Sequence, residues 1–293
     1  MTPQVQVLEE VTLVAPLGLR FWDVPAAAPA ETGLVVAAYP DAYPELVIPA
    51  NSNATGIYSF SGLPGLRRAE NGAGDDAYWS ANPPTIPYTV QVSDPQNRYL
   101  PFQLAVSLPW QGLYGLTASP PLAVPVPDAT WIPVFPAPAR PAPGVTGMIR
   151  ALLQDPSGAG AAWAVLTAQP AGGPLAIGVA DDRGVISLPM PYPELQTTLA
   201  GSPPGPALLP LTDQSWPLDI HVYYAPFVDP DDTPDLVELL QQGEASVWQD
   251  TARSARATSF TLEYGTDLIL RSVDAVSGRQ LSYLLVTAAG SPL

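Results

Sequence analysis

Residues 56–68 read GIYSFSGLPGLRR: a glycine, the alternating run Ile57-Tyr58-Ser59-Phe60, then Leu63-Pro64-Gly65. At a period of two, Tyr58 and Phe60 share one face of an extended strand. The Pro-Gly pair ends the ladder, because Pro has no N–H to donate and Gly accepts the backbone angles of a turn. The stretch is a short strand that buries two rings and then reverses, and none of its residues is a nucleophile or base in a catalytic pattern.

Composition extends this reading to the whole chain. Among 293 residues, 38 are Pro and 23 Gly, so long helices are few. Hydrophobic residues make up 47% and charged ones only 13%, which argues for a buried core rather than disorder. Many short strands joined by Pro/Gly turns are expected. All 11 basic residues are Arg, against 27 Asp and Glu, giving a net charge of −16. Nucleic acid and anionic membranes are poor partners for such a chain. With no Cys there is no disulfide, thiolate nucleophile or Cys-based zinc site. The opening MTPQVQVLEE is acidic and lacks a basic and an apolar region, so no cleaved export signal is expected. No apolar run is long enough to span a bilayer.

Residues 119–144 hold nine prolines within SPPLAVPVPDATWIPVFPAPARPAP. This predicts a polyproline spacer without ladder bonds, dividing the chain into β-sandwiches at 1–118 and 145–293. Trp131, Ile132 and Phe135 inside it are more apolar than a solvated spacer needs. They dock either on the chain's own domains or on a partner subunit. An internal echo links the halves: Gly18 aligns with Gly147, and Gly56 with Gly184, at nearly constant offset. Each half reads as β, and one helix is predicted over 234–242, with Thr233 as its cap and Pro234 in its first turn.

Chemistry is sparse. His221 is the single His and lies in PLDIHVYYAP, where a strand puts Asp219, His221 and Tyr223 on one face with no Ser elbow to serve. The acidic run Asp229–Asp235 lacks the glycine and glutamate of a calcium loop and reads as a helix-capping turn. ADDRG at 180–184 reads as a β-turn. A phosphate-binding loop of the P-loop type is excluded by the absence of Lys. In ENGAGDDAYW, residues 70–79, a loop is expected whose Tyr78 and Trp79 pack on a sandwich edge, or else form a sugar-binding platform. No catalytic residue, cofactor or metal site is expected.

The pattern Gly56, Tyr58, Phe60, Leu63, Pro64, Gly65 resembles the hallmark of the carboxypeptidase regulatory-like domain and its prealbumin-like relatives, an accessory sandwich without catalytic residues. More broadly, the order PLGLRFWD, TGLVVAAYP, YTVQVSDPQNRYLPFQLAVSLPWQGLYGL, a proline-rich stretch, then WAVLTA and GVADDRGVISLPMPYPEL resembles a structural protein of phage-tail-like contractile injection systems over about residues 10–195. The resemblance implies a non-enzymatic tail or baseplate component, built in the cytoplasm. It would contact other subunits of the particle, copies of itself among them, with Trp131, Ile132, Phe135, Tyr78 and Trp79 as candidate contacts. The alternative is an adhesive sandwich that binds glycan or peptide.

Overall fold

A computed structural model describes residues 13–30, 32–72, 75–116, 122–142, 144, 146–200, 205–226, 232–257 and 259–290. The chain is all-β, with three short α-helices and one 3-10 turn among the described residues. In the first half, a four-stranded antiparallel sheet is built on Val35–Pro40, Ile86–Ser93 and Phe102–Leu108, edged by Ile48–Pro49. Alternation decides what is buried. Phe102, Leu104, Val106 and Leu108 point inward, with Tyr88, Val90 and Val92 beside them. Facing them, Gly18–Leu19 pairs with Tyr58–Ser59, and Phe21 meets Tyr58 edge-on at 5.3 Å.

The opening pattern therefore does what its spacing predicts. Tyr58, Phe60 and Leu63 are buried, and Gly56 and Gly65 hold positive φ of 76° and 80° on either side of them.

The second half packs the sheet of Thr146–Gln154, Val185–Pro191, Ser246–Trp248 and Leu284–Thr287 on that of Val165–Pro170, Ala176–Val179, Ser215–Tyr223 and Ser259–Glu263. Leu153, Leu188, Ile220 and Val286 fill the space between. The outer face of the second sheet is also covered. Leu166 and Ala168 enter this core, whereas Val165, Ile177 and Val179 join the core of the first half. One sheet thus serves two cores, and period two sends neighbouring residues to opposite sides.

One loop is used again and again. Asn53, Asp94, Asp155, Asp181 and Asp250 each accept a backbone N–H from further along their own turn. Three residues after each comes a left-handed position: Gly56, Asn97, Gly158, Gly184 and Arg253. Asn53–Ile57 and Asp181–Val185 match bond for bond, with Gly56 N–H donating to the Asn53 carbonyl and Gly184 N–H to that of Asp181. The Asx side chain replaces a missing backbone partner and the fourth residue reverses the chain.

Three expectations need correction. The 119–144 stretch is not a ladder-free spacer: Ile132–Val134 forms a parallel strand against Phe21–Asp23. A parallel strand directs the N–H groups of alternate residues to one neighbour, so Pro133 at the position between them removes no bond on that side. Residues 70–79, expected as loop, overlap two helices, Arg67–Gly72 and Asp76–Ser80. The predicted 234–242 helix is shorter, Leu236–Leu240, and its cap is Asp235 rather than Thr233. Asp235 Oδ1 accepts from Val237 and Glu238 N–H at 2.8 and 3.2 Å, which Thr233 is too far back to do. Of the acidic run, Asp229–Asp231 lie outside the described residues, as do residues 1–12 and, around the proline-rich stretch, 117–121, 143 and 145.

Candidate interaction surface

The structure separates the five candidate contact residues. Ile132 and Phe135 are 0% and 3% exposed, packed in the first core by the pairing with Phe21–Asp23. Their own chain covers them, so they are not available to a partner. Trp131 is half-buried at the rim of the same strand. Its ring meets Trp22 edge-on at 5.2 Å, and the Arg20 guanidinium stacks on it at 4.1 Å. Arg20 is itself held by Asp128 at 2.8 Å and by Thr130. Tyr78 and Trp79 sit on the Asp76–Ser80 helix, T-shaped to each other at 5.2 Å and half-buried. Asp75 caps that helix through Ala77 N–H at 2.9 Å, and Tyr78 packs against the first core.

Two features escape the sequence reading. The first is an apolar cleft of about 380 Å³ beside Trp22, walled by Val24, Val126, Leu175 and Ile177 together with six prolines. None of its 13 lining residues is ionisable. It is formed where the proline-rich stretch and the strand Phe21–Asp23 with the turn that follows it meet the second half, so no single segment announces it. Behind it Asp23 is buried and receives Arg140, Tyr99 O–H at 2.7 Å and Ala26 N–H at 3.2 Å. Arg140 also lies over the Tyr99 ring at 4.7 Å. This cluster staples the end of the proline-rich stretch to the strand carrying Trp22. Burial, then the bond to the Asp23 carboxylate, pushes the Tyr99 phenol up to about 12.

The second feature is the turn Asp41–Val47. Tyr43, Leu46 and Val47 are 57%, 44% and 53% exposed. The turn is nonetheless fixed: Tyr43 N–H donates to the Pro40 carbonyl, Leu46 N–H to that of Tyr43, and Thr89 Oγ1 to Asp41. Three large apolar side chains in and next to one PELV segment are the available signal, and they do not alternate as a strand does.

His221 lies on the outer face of its strand, opposite Thr167, as the spacing predicts. It is not without a partner, since Nδ1 lies 2.8 Å from Glu244 Oε1. Both side chains are largely open to solvent, where such a pair adds little to stability. Among the described residues no group of three or more His, Cys, Asp or Glu is placed to hold a metal, and no helix is long and apolar enough to cross a membrane.

No family model matches the chain, and no curated protein matches it. Among solved structures it aligns with the shaft pilin SpaA of Lactobacillus rhamnosus GG, at 9% identity over 94% of this chain and 98% of that one, with a TM-score of 0.24. It also aligns with the C-terminal fragment of the pilus adhesin SpaC of the same organism, at 10% identity over 94% and 100% of the two chains, with a TM-score of 0.20. Such scores lie far below those of two chains with one topology.

Proposed function

We propose that the chain is a non-enzymatic assembly subunit that works by contact with other subunits. Following the resemblance over residues 10–195, its particle is a phage-tail-like contractile injection system assembled in the cytoplasm. The observation that carries the assembly reading is the fixed apolar turn at Tyr43, Leu46 and Val47, because clustered large apolar groups held in water are the mark of a contact surface. The half-buried Trp131 and Tyr78–Trp79 pairs add aromatic groups of the kind enriched at interfaces. The test is isolation of particles from cells that encode the chain, with mass spectrometry and negative-stain microscopy. The chain is expected to sediment with sheath and baseplate subunits, and its deletion to give incomplete particles. Complete particles formed without it, with the chain left in the soluble fraction, would overturn the reading.

A further inference from the structure

The molecule carries an apolar projection and an apolar recess on different parts of its surface. None of the residues of the 41–47 turn lines the cleft beside Trp22. We infer that the turn at Tyr43–Val47 of one copy seats in the Trp22 cleft of the next, so that copies associate head to tail. This inference rests on the assembly reading and names the partner.

Shape and chemistry both bear on it. At about 380 Å³, the cleft has room for two aliphatic side chains, the size that Leu46 and Val47 present together. Six of its 13 lining residues are prolines, which have no N–H, so water in the cleft finds few donors and an apolar side chain displaces it at little cost. Leu46 and Val47 need no hydrogen bond, and the Tyr43 hydroxyl stays at the rim, where water satisfies it.

Charge selects the same surfaces. Copies of net charge −16 repel one another, so a contact between them costs least where one side is free of carboxylates. The cleft has no ionisable lining residue, and Asp128, which follows its wall residue Pro127, is paired with Arg20 at 2.8 Å, so a turn that carries Asp41 and Glu45 meets little like-charge opposition there.

A projection and a recess at different places make a heterologous contact, which propagates into an open chain or closes into a ring instead of stopping at a two-fold dimer. The three side chains and the cleft wall would bury on the order of 500 Å² together, below the ~1,200 Å² of a stable specific complex. The isolated protein should therefore associate weakly and only when concentrated.

Sedimentation velocity between about 10 and 500 µM tests this with the full chain. The parent is expected to shift progressively to faster species. Two variants should each remain monomeric: Tyr43→Ser/Leu46→Ser/Val47→Ser, which removes the projection, and Leu175→Glu, which puts a carboxylate into the cleft. Far-UV spectra and melting curves check that both are folded. Mixed in equal amounts, they should form one species of two chains, because the first retains the recess and the second the projection. A second cleft variant, Val126→Glu, replaces Leu175→Glu if that chain fails to fold. Parent protein that stays monomeric at the highest concentration, association that survives either change, or a mixture that stays monomeric would overturn the inference. If particles still lose the chain when the turn is mutated although the pure protein never self-associates, the assembly reading stands and the turn's partner is another subunit.

Discussion

Asp23 shows how much one buried carboxylate can organise. Its side chain is 6% exposed and that of Arg140 is 14% exposed, so each has given up most of its water for the other. Asp23→Asn keeps the shape and an acceptor for Tyr99 but leaves the guanidinium without a counter-charge. That should cost about 2–4 kcal/mol and lower the melting temperature by roughly 4–12 °C, measured by circular dichroism. Replacing the pair together, as Asp23→Leu/Arg140→Met, should cost less than the single change, since no orphaned charge remains. A single variant as stable as the parent would show that the pair is only a surface contact. Tyr99 provides an independent reading of the same cluster. Its folded pKa of about 12 lies above the ordinary value of 10.0, so the protonated phenol is the form the fold favours. Its contribution is complete below about pH 10 and is lost as pH rises toward 12. The chain has no Lys and no Cys, so the side chains that titrate in that window are tyrosines. Melting temperatures of the parent should fall more steeply between about pH 10 and 12 than those of Tyr99→Phe; parallel curves would remove the Tyr99 contribution.

At the level of elements, the Asx loops turn sequence into geometry, and two glycines separate strain from collision. Gly184 and Gly62 have φ of +81° and +74°, so alanine is strained at both. At Gly62 a Cβ meets nothing within 4 Å, whereas at Gly184 it collides with the Leu153 carbonyl oxygen and lies 2.8 Å from Ala161 N. Gly62→Ala should cost about 1 kcal/mol and Gly184→Ala about 3 kcal/mol or more, read from denaturant midpoints. Equal losses would mean that strain alone matters and that the loop tolerates a methyl. The Asp250 loop and the turn opened by Asp274 hold their carboxylates in the charged form. The Ser254 and Ser277 hydroxyls, then backbone N–H groups, keep Asp250 and Asp274 below the usual range. Strands with one solvent face were legible because alternation is local, as in Ile86–Ser93, Phe102–Leu108 and Ser215–Tyr223. Ile132–Val134 was not, since its partner Phe21–Asp23 lies far away in sequence and Pro133 reads as a breaker. Helices of six and five residues, such as Arg67–Gly72 and Asp76–Ser80, are too short to carry a 3.6-residue stripe. The candidate surface was least legible. The apolar cluster Tyr43, Leu46 and Val47 stands in the sequence, but its exposure and the Trp22 cleft arise from what the fold leaves uncovered.

For the whole molecule, the two halves are joined by more than a chain crossing. In the strand Val165–Pro170, Val165, Leu166, Thr167 and Ala168 are buried in succession rather than in alternation, the pattern of a strand covered on both faces, and this run carried the signal that the sheet has a core on each side. The short helix of the second half completes the junction. Leu236, Leu239 and Leu240 lie in the first core, and Asp235 Oδ2 accepts from Ala105 N–H at 3.1 Å while Gln103 N–H donates to the Pro234 carbonyl at 2.8 Å. Those two bonds cover the edge of Phe102–Leu108, a strand that would otherwise present free donors. Sandwiches expected at 1–118 and 145–293 would unfold separately if a spacer alone connected them. With a shared sheet and a shared helix, neither half has a complete core by itself. We therefore expect one calorimetric transition, with the van't Hoff and calorimetric enthalpies in agreement. Leu239→Ala should remove about 2–4 kcal/mol. Although Leu239 belongs to the second half in sequence, the loss should lower amide-exchange protection in the first-half strands Ile86–Ser93 and Phe102–Leu108 as much as in Ser215–Tyr223. Two resolved transitions, or a loss of protection confined to residues after 145, would mean that the junction is a contact between independent domains and that the cleft beside Trp22 opens and closes with it.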